Sequence, residues 1–219
     1  MLKSRFVVYI IEWRDEHEVN NGCFEGDVLQ KVLKFASIPT QYKRVVSADS
    51  FKKSLLLSAL QQVESQHASW PVIHYSGHGS PQGIGPTAQD NITWATLRDV
   101  LTTVNQAING ALFMCMSTCS GLYARSIART ENDTLPFFAL IGNEGPVLLH
   151  ETIVSYLSFY TLLQKGLPLE LAVQGMNTAA GLPGGHRYVN VFGLNEKTDY
   201  IEYLAGARAF FKLIGKSKN

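Results

Sequence analysis

The chain has 219 residues, 46% of them hydrophobic and 17% charged, with a formal net charge of +1. That is enough apolar sequence for one sizeable α/β core, so disorder is not the default, and no excess of Lys and Arg marks a nucleic-acid partner. Three cysteines, Cys23, Cys115 and Cys119, are too few for a disulfide framework and fit a reducing compartment.

The apolar run Phe6 to Ile11 reads as a buried strand. It is too short for a membrane span and lacks the small-residue site of a cleavable leader, so a cytoplasmic protein without a membrane partner is expected. A polar loop follows, Glu12 to Gly26. Apolar residues at Val28, Leu29, Val32, Leu33 and Phe35 have helical spacing over Asp27 to Ala36. Thr40 to Val46 reads as a second strand, and Ser47 or Asp49 caps a helix reaching Glu64.

Trp70 to Tyr75 is the third strand, running into Ser76-Gly77-His78-Gly79 and a Gly/Pro-rich loop to Pro86. Thr93 caps a helix over Trp94 to Ile108. Ala111 to Met116 is the fourth strand, ending at Ser117-Thr118-Cys119-Ser120-Gly121. A short helix over Leu122 to Ala128, a strand over Phe137 to Ile141, helices over Leu148 to Gln164 and Leu169 to Ala179, and a strand over Tyr188 to Phe192 complete the order. Alternating strands and helices predict an α/β fold with a mostly parallel sheet and helices on both faces.

In such sheets, sites lie at the carboxyl ends of strands. His78 and Cys119 both fall there, on neighbouring predicted strands. A cysteine nucleophile reacts as its thiolate, and a nearby imidazole can take the thiol proton and later return one to a leaving amine. Ser120-Gly121 breaks the strand just after Cys119. The glycines beside His78 leave room for a substrate backbone and for N–H donors to an oxyanion.

Taken singly, a strand-end His is more often structural, and a lone Cys more often a small buried hydrophobe. That plainer reading is kept for Cys115, Cys23, His17, His67, His150 and His186, and for His74 unless it lines the site. Zinc is the rival chemistry, because His74 and His78 are four apart, as are Cys115 and Cys119. Four residues of strand span roughly 13 Å, whereas zinc ligands sit about 2.0–2.3 Å from the metal. Neither pair can easily converge; one residue from each still could, but no metal is expected. Gly77 to Gly85 lacks the ending of a phosphate loop and the dinucleotide fingerprint, so no cofactor is expected either.

Ile73-His74-Tyr75-Ser76-Gly77-His78-Gly79 resembles the strand and Ser-Gly-His-Gly segment of metacaspases, caspases and bacterial CHAT peptidases, the clan CD cysteine peptidases. Met114 to Gly121 is similar to their nucleophile segment, and the histidine precedes the cysteine by 41 residues (119 minus 78), against about 50 in caspases. Leu148 to Ala180 also resembles the two helices after the fifth strand of CHAT domains.

The resemblance implies a single caspase-like peptidase domain over residues 1–219, a three-layer sandwich around a six-stranded, mostly parallel sheet. It implies attack by Cys119, proton shuttling by His78, and an oxyanion hole of the Gly79 and Cys119 backbone N–H groups. It further implies a protein or peptide substrate cut after a selected P1 residue. An activating partner protein and a bacterial-type defence or cell-death pathway are implied as well. Metacaspases carry an acid two residues before the nucleophile. Here that residue is Ser117, so basic P1 selectivity would need another acid. The loop Glu12-Trp13-Arg14-Asp15-Glu16 after the first strand is one candidate wall of the P1 pocket and the loop after Cys119 another, with Arg14, Asp15, Glu16 and Ser117 as candidate contacts to the P1 side chain. The runner-up is a caspase-fold binding or scaffold module without activity; a different α/β hydrolase or transferase using Cys119 stands third.

Overall fold

Every residue of Phe6–Trp13 (β1) is buried, as a strand covered on both faces requires. Its side chains alternate. Val7, Tyr9, Ile11 and Trp13 join one apolar cluster, and Phe6, Val8 and Ile10 join the other. The computed structural model describes residues 6–22, 24–64, 70–87, 89–181 and 188–202. Cys23, His67 and His186 lie outside the described residues.

After β1 come α1 (Glu16–Asn21), α2 (Glu25–Phe35), β2 (Thr40–Val45), α3 (Ala48–Glu64) and β3 (Trp70–Gly77). Three two-residue strands follow: β4 (Gly79–Ser80), β5 (Gly83–Ile84) and β6 (Ile92–Thr93). Then come α4 (Trp94–Ala107), β7 (Phe113–Ser117), a 3-10 segment (Gly121–Ala128), β8 (Ala139–Asn143), α5 (Leu149–Gln164), α6 (Leu169–Ala179) and β9 (Tyr188–Phe192). Residues 193–202 are helical, which the apolar pattern did not announce.

The main sheet has six strands in the order β2-β1-β3-β7-β8-β9. All neighbours are parallel except β8 and β9. Phe51 and Leu55 of α3 and Leu97, Leu101 and Val104 of α4 cover one face. Leu29 and Leu33 of α2, Phe159 of α5 and Met176 of α6 cover the other. This is a three-layer α/β sandwich with a mostly parallel six-stranded sheet, the architecture implied by the resemblance. Among the described residues no helix is long and apolar enough to cross a membrane.

The capping expectations resolve in detail. Ser47, rather than Asp49, serves α3, its hydroxyl accepting from the Ser50 N–H at 3.2 Å. Thr93 accepts from the Thr96 N–H at 3.2 Å. The segment read as a polar loop, Glu12 to Gly26, contains α1 and the start of α2. Asp15 begins α1 with a reciprocal capping box: its carboxylate accepts from the Glu18 N–H at 2.7 Å, and the Glu18 carboxylate accepts from the Asp15 N–H at 3.2 Å.

Candidate active site

β3 and β7 pair in parallel with Ser76 level with Ser117, an offset of 41. His78 and Cys119 are also 41 apart. Each therefore leaves its strand at the same height, just past the last paired residues. The two segments touch there: a Cβ built on Gly79 would lie 2.7 Å from the Cys119 carbonyl oxygen and collide with Thr118.

The turn carrying Cys119 is sharp. Ser120 adopts φ +56°, the left-handed region that side chains other than Gly rarely occupy, at a cost of about 1 kcal/mol or more. It is held by the Ser120 N–H donating to the Gly145 carbonyl at 3.0 Å and the Gly121 N–H donating to the Thr118 carbonyl at 3.3 Å. The Asn143 amide donates to that same Gly145 carbonyl. Cys119 is half-buried, and its Sγ lies 4.0 Å from the Val147 carbonyl.

His78 is held from two sides. Its backbone carbonyl accepts from the Tyr75 hydroxyl at 2.8 Å. Its Nε2 lies 2.8 Å from Glu18 Oε1. The glycines flanking His78 are also required by packing: a Cβ on Gly77 would sit 2.5 Å from the Tyr75 hydroxyl and 2.9 Å from the Trp13 carbonyl.

Beneath the two strand ends runs a buried polar network. Arg14, 3% exposed, donates from Nε to Glu12 at 3.3 Å, from Nη1 to Glu18 at 3.4 Å and from Nη2 to the Ser76 hydroxyl at 3.3 Å. The Ser76 hydroxyl donates to Glu25 Oε2 at 2.6 Å, and the Ser117 hydroxyl donates to Glu25 Oε1 at 2.5 Å. Tyr42 donates to Glu12 at 2.8 Å. Burial pushes the Glu25 carboxyl up to about 7, against the pull of the Ser117, Ser76 and Thr152 hydrogen bonds and the Arg14 charge. His74 is fully buried, its Nδ1 2.9 Å from the Tyr160 hydroxyl. Burial lowers it to about 3, so the imidazole that lies 3.9 Å from Glu25 is neutral at ordinary pH.

The P1 candidates thus divide. Arg14 and Ser117 are buried with bonded side chains, Asp15 caps α1, and Glu16 stands in the first turn of α1. The sequence reading missed Glu18 and Glu25. The Asp-x-x-Glu spacing of Asp15 and Glu18 was a legible signal for a cap; no local signal marked Glu25. The carboxyl nearest Ser117 belongs to Glu25, which is buried and accepts from the Ser117 hydroxyl at 2.5 Å.

Cys115, inside β7, behaves as the apolar residue expected of it: burial pushes its thiol up to about 12. Iodoacetamide at pH 8 should therefore label Cys119 and leave Cys115 intact in the folded protein, read by peptide mass mapping. Equal labelling of both would contradict the burial of Cys115. Among the described residues no group of three or more His, Cys, Asp or Glu is arranged to hold a metal.

No family model matches the sequence, and no curated protein matches it. Among solved structures, the chain is similar to the crystal structure of the Arg-specific cysteine proteinase gingipain R. The two are 12% identical with a TM-score of 0.49, over 84% of this chain and 46% of that one. The chain spans less than half the length of that proteinase.

The contact between Gly79 and the Cys119 turn gives a direct test of the site. Gly79→Ala must push Thr118 and Cys119 away from the His78 segment. A misplacement of about 1 Å can cost about 100-fold, so kcat/KM for a cleaved peptide should fall by about that factor. Unchanged kcat/KM would show that the spacing of these segments is irrelevant to activity.

Proposed function

We propose that the protein is a cysteine endopeptidase in which Cys119 attacks the scissile carbonyl and His78 carries the proton. The supporting observation is the β3–β7 register, which brings both residues off adjacent strands at one height. The backbone N–H groups of Gly79 and Cys119 are the oxyanion donors in this reading. The thiol proton passes to the imidazole, the thiolate forms the acyl-enzyme, and the imidazolium protonates the leaving amine. Water, deprotonated by the same imidazole, then hydrolyses the thioester.

In this reading the P1 pocket lies beside the strand ends, with Arg14, Asp15 and Ser117 as parts of its wall rather than as free charges. Glu12 and Glu25 add carboxyl groups behind that wall. The working context is cytoplasmic, with a protein or peptide substrate and a partner protein that activates the enzyme. A defence or cell-death role is taken from the resemblance alone.

The test is to incubate the protein with a proteome-derived peptide library and map the new termini by mass spectrometry, with Cys119→Ala alongside. One dominant P1 residue, absent with the variant, is expected. Cleavage equal in both would remove Cys119 as the nucleophile, and none with and without candidate partner proteins would favour the inactive scaffold reading.

A further inference from the structure

We propose that Glu18 is a positioning residue for the reaction: it holds the His78 imidazole by Nε2–H, so that Nδ1 is the atom that takes the Cys119 proton. This rests on the peptidase reading above.

An ionised carboxylate only accepts hydrogen bonds, so at 2.8 Å from Glu18 Oε1 the His78 Nε2 must carry the hydrogen. In the neutral ring that leaves the lone pair on Nδ1. Half of the His78 side chain is exposed, 51%, and an exposed imidazole without an anchor would sample several ring orientations. Exposed ion pairs are ordinarily worth little. This one differs because the Glu18 carboxylate is itself fixed. Its Oε2 accepts the Asp15 N–H at 3.2 Å, and its Oε1 also accepts from Arg14 Nη1 at 3.4 Å. Arg14 is buried and bonded in turn to Glu12 and to Ser76 of β3. The anchor of the imidazole thus runs through Glu18 and Arg14 back to the strand that presents His78.

The chemistry follows. The Cys119 S–H proton moves to Nδ1, giving a thiolate and an imidazolium. The imidazolium keeps both ring protons, and Glu18 stays a carboxylate. When the tetrahedral intermediate collapses, the C–N bond breaks and the Nδ1 proton goes to the leaving nitrogen. Glu18 exchanges no proton at any step. It sets the tautomer and the ring plane, as a second group does for many catalytic and metal-binding histidines.

The experiment compares the parent, Glu18→Ala and Glu18→Gln with two readouts. Histidine-selective 15N NMR reads a hydrogen-bonded Nε2–H on His78, and steady-state kinetics separates kcat from KM. In Glu18→Gln the amide oxygen can keep the place of Oε1, losing the bond to the Asp15 N–H. The parent and Glu18→Gln should therefore show the protected Nε2–H, and Glu18→Ala should lose it. The value of kcat should fall about 10- to 100-fold in Glu18→Ala, with KM within about twofold, and recover to within about fivefold of the parent in Glu18→Gln. An unchanged His78 resonance and unchanged kcat in Glu18→Ala would overturn the proposal. So would equal losses in both variants with the resonance retained in both, which would mark a folding effect. Failure of the peptidase reading shows elsewhere, as cleavage that survives Cys119→Ala, while the NMR arm still reports on the contact.

Discussion

Cys119→Ala and His78→Ala should each lower peptide cleavage by at least about 10⁴-fold, and the double variant should be no worse than the poorer single one. A nucleophile and its base act as a unit: without the sulfur there is nothing for the imidazole to deprotonate, and without the imidazole the thiolate lacks its proton acceptor and the amine its donor. In well-studied hydrolases such losses reach about 10⁴ to 10⁶ and are not additive. The residual rate would come from oxyanion donors and substrate binding. Rates for the three variants and the parent on one cleaved peptide decide the matter. Losses that multiply in the double variant would mean that the two residues act in separate steps. Activity near the parent level in Cys119→Ala would remove the nucleophile assignment altogether. Circular dichroism melts should differ little, because Cys119 is half-buried in a turn and the His78 side chain is largely exposed.

Glu25→Gln should change how stability depends on pH. Below about pH 4.5, the ordinary value for the carboxyl, Glu25 is protonated whether the chain is folded or not. Between there and about 7 the unfolded chain releases the proton while burial keeps it on the folded one. Folding then takes up a proton, so the stability present at low pH is lost as pH rises through about 7. The full loss, from 4.5 to about 7, is about 3 kcal/mol. A glutamine cannot ionise, and Ser76 and Ser117 can reorient their hydroxyls to its amide. Urea unfolding at pH 4, 6 and 8 should therefore show the variant gaining on the parent by about 3 kcal/mol between the first and last. His74 works in the opposite direction: its lowered value removes stability as pH falls below 6.5. It is present in both proteins, so the difference between them isolates Glu25. A parent-to-variant difference that stays flat across this range would show that the carboxyl is already ionised in the folded chain.

The sheet was legible because its strands are long apolar runs separated by helical spacing, and Cys119 and His78 stood out because each interrupts such a run with glycine nearby. β1, β3 and β7 each run one or two residues past the ends read for them, and β7 starts at Phe113 rather than Ala111. The first residue past each of those ends, Glu12, Ser76 and Ser117, is polar in sequence but buried in the fold. That burial depends on partners 51 and 92 residues apart, Ser76 with Glu25 and Glu25 with Ser117, and no local window contains both ends of such a contact. The small sheet of β4, β5 and β6 escaped for another reason: two-residue strands have no periodicity to detect. α1 was hidden by a polar composition in so short a helix.

The β3–β7 ladder also governs when the site can exist during folding. His78 and Cys119 are brought to one height by parallel pairing across an intervening crossover, and parallel pairing is slow because the crossover must be closed before any strand contact rewards it. A chain emerging from synthesis with β3 formed but β7 unpaired holds a histidine and a cysteine with no common cleft. In the proposed mechanism, peptidase activity would thus arise only after the central sheet has assembled, and partly folded chains would be spared from cutting one another.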